Sequence, residues 1–212
     1  MDKRCAIFDM DGTLIDSMGC WQRLGREYLA KMGVRENVEP VIERIKPMTM
    51  LESSAVFMEA FGIPGPPERI AAEMNAMMDA HYRSDIPLKS GAADYLRALQ
   101  RKGVRLCVAT ATPEPLARAC LERLGVADCF AFLLSCDAVA AGKDRPDVFL
   151  EAARRLGAVP EDVAVYEDAI YAARTAKAAG FWVAGVYDDA SAADWAALNA
   201  LCDATIRDWR QL

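Results

Sequence analysis

Short apolar runs that stop at polar residues recur along this chain and alternate with segments patterned at helical spacing. Cys5-Ala6-Ile7-Phe8 stops at Asp9, Val104–Ala109 at Thr110, and Phe130–Leu134 at Ser135. Val163-Ala164-Val165-Tyr166 stops at Glu167-Asp168, and Phe181–Tyr187 at Asp188-Asp189. Between these runs, amphipathic patterns near Ala92–Lys102, Pro115–Leu124, Pro146–Leu156 and Ala169–Ala179 predict helices. Gly103, Gly125, Gly157 and Gly180 stand where those helices should end. Continuous apolar strands alternating with helices predict an α/β fold whose parallel sheet is covered on both faces. Ligands of such sheets bind beyond the carboxyl ends of the strands, and the polar residues gather there.

One stretch interrupts the alternation. From Ser17 to Ile86 the pattern predicts only helices, near Gly19–Met32, Val38–Lys46, Leu51–Phe61 and Glu68–Tyr82. Pro64, Pro66 and Pro67 punctuate it, and Pro87 marks the return of the strand–helix pattern. The expected division is therefore a core from residues 1–16 and 87–212, with an inserted helical subdomain at 17–86. Eight of the ten methionines lie in the insertion, where the expectation is that they mostly fill a small helical core.

Composition narrows the function. With 53% hydrophobic residues the chain is too apolar for intrinsic disorder, and its 212 residues suffice for a buried core. A net charge of −6 argues against a nucleic-acid partner. No apolar run approaches the roughly 18–20 residues of a membrane span. Asp9 ends the first apolar run too early for a signal peptide. Seven scattered cysteines without a C-x-x-C pair argue against a disulfide framework and a thiolate zinc site, so a reducing cytoplasm is expected. His81 is the only histidine, which directs any catalysis toward carboxylates.

Asp9-Met10-Asp11-Gly12-Thr13 is the most informative segment. Residues i and i+2 of an extended strand point to one side, so Asp9 and Asp11 can face one pocket while Gly12 lets the chain turn. Neighbouring carboxylates repel unless a proton or a divalent cation joins them, and hard oxygen ligands suit Mg²⁺. Glu167-Asp168, at the end of another strand, could complete such a site. Asp-Gly alone is a common turn and Glu-Asp a common helix start. Their arrival at strand ends, with a Thr and a Lys in order between them, is harder to explain by local structure.

These residues resemble the haloacid dehalogenase-like (HAD) superfamily of aspartate-nucleophile phosphohydrolases. Phe8-Asp9-Met10-Asp11-Gly12-Thr13-Leu14 matches its first motif and Thr110 the second. Lys143, in Gly142-Lys143-Asp144-Arg145-Pro146-Asp147, matches the third, and Glu167-Asp168 the fourth. The resemblance implies a Rossmann-like doubly wound core with the helical insertion as a cap that closes over the site. It implies a Mg²⁺-dependent phosphatase of small phosphorylated metabolites, a phosphoric monoester hydrolase. Asp9 would attack phosphorus, and Asp11 would act as general acid and then general base. Thr110 would donate to a phosphoryl oxygen, and Lys143 would face the phosphoryl charge and the nucleophile. Mg²⁺ would be held by Asp9, the Asp11 backbone carbonyl, Asp168 and Glu167, the last directly or through water.

Some positions depart from the family pattern. Ala169 and Ala172 replace a common serine and glycine after the fourth motif, and Ala111 follows the motif-two threonine. β-Phosphoglucomutase is the principal alternative within the family. Its relatives carry a cap histidine where this chain has Trp21, and tend to have valine where it has Thr13; both differences favour hydrolysis. Trp21, Met18, Arg44 and Lys46 are the candidate substrate contacts of the insertion, Trp21 foremost. Carbon–halogen dehalogenases lack the second aspartate, so Asp11 counts against that reaction. A signalling receiver domain needs no inserted cap, and a silent binding protein need not retain the whole catalytic set.

Overall fold

A computed structural model describes residues 3–45, 48 and 50–212. The chain divides into two compact units: Asp85–Leu212 together with the residues up to Met18, and Gly19–Ser84.

The first unit is built on six parallel strands in the order β3-β2-β1-β4-β5-β6. These are β1 (Cys5–Phe8), β2 (Arg105–Thr110), β3 (Leu133–Ser135), β4 (Val163–Glu167), β5 (Trp182–Val186) and β6 (Ala204–Ile206). Chain order reverses at β1, whose residues pair with β2 on one side and β4 on the other, so Phe8 lies beside both Val108 and Tyr166. That reversal is the switch point at which doubly wound sheets bind ligands. The α/β expectation therefore holds. Several details differ from the sequence pattern, which did not foresee the helix at Trp195–Leu201. The third strand is shorter than Phe130–Leu134, and β6 was not foreseen, because Ala204-Thr205-Ile206 is too short and too half-exposed to read as an apolar run.

Both sheet faces are covered, and side-chain alternation decides what each face meets. Cys5 and Ile7 of β1 and Val163 and Val165 of β4 pack with Val148, Phe149, Ala152 and Leu156 of one helix and Ala172, Ala173 and Ala176 of another. On the opposite side Phe8 stacks on Tyr166, with centroids 4.2 Å apart and planes at 5°. The Tyr166 hydroxyl lies 2.6 Å from that of Tyr95, and burial raises the Tyr166 phenol well above its ordinary range. Trp209 packs on Tyr95 and Tyr166 and donates its indole N–H to the Thr13 carbonyl oxygen at 3.2 Å. The C-terminal segment thus holds the loop that follows β1.

The second unit consists of helices α1 (Met18–Lys31, its first residue belonging to the other unit), α2 (Val38–Ile45), α3 (Met50–Phe61) and α4 (Pro67–Ser84). Its core holds Leu24, Tyr28, Leu29, Phe57, Ile70, Met74, Met78 and Tyr82. Met74 and Met78 fill this core as expected, but Met58 is exposed and Met32, Met48, Met50 and Met77 are half-buried, so core filling accounts for only part of the methionine enrichment. All seven cysteines are free thiols, six of them buried. No helix among the described residues is long and apolar enough to cross a membrane.

Replacing Trp209 by Ala removes a nearly fully buried indole and is expected to cost about 3–5 kcal/mol of stability. Trp209→Phe, which mainly loses the bond to Thr13, should cost about 1 kcal/mol. Urea unfolding curves of the two variants test this ranking.

Candidate active site

The first strand delivers Asp9 to the centre of the sheet edge. The Asp9 backbone N–H donates to the Tyr166 carbonyl at 2.9 Å, so the ladder between β1 and β4 extends one residue past β1. The chain then folds back tightly: the N–H groups of Leu14 and Ile15 both reach the Met10 carbonyl, and Gly12 N–H reaches that of Ile15. Gly12 adopts φ +79°, and a Cβ there would stand 2.5 Å from Asp168 Oδ2. Both the backbone conformation and the space demand glycine. Beside it, the buried Thr13 hydroxyl donates to Asp168 Oδ1 at 2.8 Å, which aims the Asp168 carboxylate.

Asp9, Glu167 and Asp168 form one buried carboxylate cluster, each offering an oxygen within 4.8 Å of the others. Lys143, from the segment preceding helix α7 (Asp147–Leu156, after α5 at Ala92–Arg101 and α6 at Glu114–Arg123), brings its ammonium into the cluster. It donates to Asp9 Oδ1 and, at 2.8 Å, to Glu167 Oε2. The other Glu167 oxygen accepts from Ala169 N–H at 3.2 Å, at the entrance to α8 (Ile170–Ala178).

Three carboxylates against one ammonium leave negative charge uncompensated. Burial, and then the Glu167 charge, push the Asp9 carboxyl up to about 6 despite Lys143. Burial, Glu167 and Asp9 together push Asp168 well above the usual carboxylate range. Burial alone would lower the Lys143 ammonium, but Asp9 and Glu167 outweigh it and hold the group protonated beyond its ordinary value. A buried, all-oxygen cluster short of positive charge fits a hard divalent cation, so the residues suit Mg²⁺.

The remaining predicted residues fall into two places. Thr110 is fully buried at the end of β2, and its hydroxyl oxygen accepts from Thr112 N–H at 3.0 Å. Asp11 lies outside the three-carboxylate cluster; its oxygens accept from Ser17 Oγ at 2.6 Å and from Thr112 Oγ1 at 2.7 Å. Sequence reasoning passed over Ser17 and Thr112 as partners of this carboxylate. The only available signal was a hydroxyl residue two positions beyond Thr110.

Trp21, in α1, donates its indole N–H to the Tyr82 hydroxyl at 3.1 Å. It also lines a cavity of about 590 Å³ within the helical unit, with Leu24, Ile42 and Met74 among its neighbours. Met18 is half-buried and Arg44 exposed, while Lys46 lies outside the described residues.

Residues 3–180 match the family model of the haloacid dehalogenase-like hydrolases. The chain belongs to that family. A bifunctional riboflavin kinase/FMN phosphatase of Arabidopsis thaliana is 31% identical over 187 residues, 86% of this chain. The chain spans about half of that relative, 48% of its length. A phosphorylated carbohydrates phosphatase of Thermotoga maritima is 29% identical over 174 residues, covering 82% of this chain and 80% of the relative. The solved structure of CbbY from Rhodobacter sphaeroides in complex with phosphate has a TM-score of 0.78 and 26% identity, covering 99% of this chain and 96% of that one. This haloacid dehalogenase-like hydrolase thus shares both its fold and the motif-bearing part of its sequence with the family.

The Asp168 carboxyl has a folded-state pKa above its unfolded value of 3.8, so the native state holds the extra proton and this group erodes stability as pH rises through its titration. Asp168→Asn keeps an oxygen for the Thr13 hydroxyl and removes the charge. In EDTA its melting temperature should exceed that of the unaltered protein at pH 7.5, and the gain should shrink as pH falls toward 4. Thermal unfolding of both proteins across that range checks the sign.

Proposed function

We propose that this HAD-like phosphoric monoester hydrolase is Mg²⁺-dependent and hydrolyses small phosphorylated metabolites, sugar or organic phosphate monoesters, through an aspartyl-phosphate on Asp9. One observation carries the reading: a buried Asp9 carboxylate at the switch point of the sheet, in contact with the Lys143 ammonium and clustered with Glu167 and Asp168. The phosphatase relatives support the substrate class.

In this reading Asp9 attacks phosphorus in line, splitting one displacement into two. Lys143 restrains the Asp9 carboxylate and offsets phosphoryl charge as the bond to phosphorus forms. Thr110, whose hydroxyl oxygen already accepts from Thr112 N–H, keeps its own proton to donate to a phosphoryl oxygen. Asp11 gives a proton to the leaving oxygen and later takes one from the attacking water. Mg²⁺ would be held by Asp9, Asp168, the Asp11 carbonyl and Glu167, the last directly or through water, and when bound it supplies the charge that phosphoryl transfer needs.

The helical unit, residues 17–86 of the sequence division, serves in this proposal as the family's cap, with Trp21 as its first candidate for substrate selection. The mutase alternative calls for a proton-accepting side chain where Trp21 stands. An indole N–H only donates, and here it donates to Tyr82. Buried reduced thiols accord with a cytoplasmic setting.

Phosphate release should be measured over a panel of sugar and organic phosphates, with Mg²⁺ and with EDTA. Turnover is expected only with the metal, and Asp9→Asn should lower it by about 10³-fold or more. Full activity in Asp9→Asn, or equal activity in EDTA, would overturn the proposal. Transfer of phosphate between two positions of a sugar, rather than to water, would instead restore the mutase.

A further inference from the structure

We infer that Thr112 is a positioning residue for proton delivery by Asp11, tying the acid to the threonine that meets the phosphoryl group. The inference rests on the phosphatase reading above and deepens it.

Thr112 is buried and sits two residues past Thr110, where the chain leaves β2 for α6. Its backbone N–H and its side-chain hydroxyl have different partners. The backbone N–H donates to Thr110 Oγ1 at 3.0 Å, and the side-chain hydroxyl donates to Asp11 Oδ2 at 2.7 Å. The other Asp11 oxygen, Oδ1, accepts from the fully buried Ser17 hydroxyl at 2.6 Å. Two hydroxyls from segments about 95 residues apart thus grip the two oxygens of one carboxylate and fix its plane. Ser17 ties that plane to the loop after β1; Thr112 ties it to β2, and through its N–H to Thr110.

This matters because Asp11 belongs to a tight loop, whereas the phosphoryl contact would be made by a neighbouring strand. Without a link, the two would keep only the register that backbone pairing imposes. A misplacement of about 1 Å at such a site is worth roughly 10²-fold in rate. A hydroxyl suits the link, since it can donate to a carboxylate and accept from a carboxylic acid without moving. Valine has nearly the same shape but can do neither.

Thr112 serves the first half of the reaction. The Asp9 carboxylate forms a bond to phosphorus while the bond from phosphorus to the leaving oxygen breaks. The proton on the Asp11 carboxyl passes to that oxygen, so an alcohol departs and Asp11 remains as the carboxylate. An alkoxide is a poor leaving group and depends on this proton, whereas p-nitrophenolate departs readily as the anion. Removing the positioning hydroxyl should therefore discriminate between the two kinds of ester.

The test compares kcat/KM, which covers only the steps through departure of the alcohol and not the later attack of water, for glycerol 2-phosphate and p-nitrophenyl phosphate, in Mg²⁺, for the unaltered protein, Thr112→Val, Thr112→Ser and Ser17→Ala. Thr112→Val is expected to lower kcat/KM on the glycerol ester by about 10–100-fold, with kcat/KM on p-nitrophenyl phosphate within about threefold. Thr112→Ser should restore the glycerol ester to within about threefold. Ser17→Ala, which releases the other oxygen, should show the same one-sided loss. An equal fall in kcat/KM on both esters would assign Thr112 to packing or substrate binding and overturn the inference while leaving the hydrolase reading intact. An unaltered protein inactive in Mg²⁺ on these two esters and on every sugar and organic phosphate of the panel would overturn both.

Discussion

One ammonium among three buried carboxylates is the constraint on which the rest of this molecule depends. Lys143 contacts two members of the cluster directly, and the third, Asp168, answers to the Thr13 hydroxyl. Charges taken out of water cost several kcal/mol each unless they are paired and fully hydrogen-bonded. Among the described residues no buried side-chain nitrogen or oxygen lacks a hydrogen-bond partner, so the polar accounting closes atom by atom. The charge accounting does not close, and the raised Asp9 and Asp168 carboxyls record the shortfall. Such an imbalance is a poor way to stabilise a fold and a good way to prepare a site for further positive charge.

The sheet makes that imbalance possible. β1 lies between β2 and β4, so side chains that leave these three strands at their carboxyl ends converge on one region. Beneath them the strands are apolar on both faces, and the stacked Phe8–Tyr166 pair fills the layer under the site on one side. Water is excluded from below, which strengthens each interaction above. Gly12 is the counterpart in the backbone: without its left-handed turn the chain could not leave β1 so sharply while Asp168 stands against it.

Much of this was legible in the amino-acid sequence, for a physical reason. Central parallel strands are buried on both faces, so they appear as unbroken apolar runs, and the residues that stop those runs lie where ligands bind. Asp9, Thr110 and Glu167-Asp168 are of that kind. Lys143 is not; it follows no strand, and only its place in an ordered set of motifs drew attention to it. β6 escaped because it is a short edge strand with two of three residues half-exposed, for which alternation carries little information. The grip of Ser17 and Thr112 on Asp11 escaped because Ser and Thr occur in turns everywhere, and nothing local distinguishes a hydroxyl that crosses to another segment. Methionine enrichment in the helical unit was only partly a core signal, since several of those side chains remain half-buried or exposed.

The bond from the Trp209 indole to the Thr13 carbonyl spans 196 positions of sequence. The family match stops at residue 180, yet a residue well beyond it steadies the loop whose threonine aims Asp168. During synthesis, β1 emerges early and waits for both of its sheet neighbours, and the loop that follows it waits longer still. Long-range closures of this kind are slow, because loop entropy is lost before contact energy is gained. The loop that carries Thr13 is therefore closed only when Trp209, 196 positions later, packs against it.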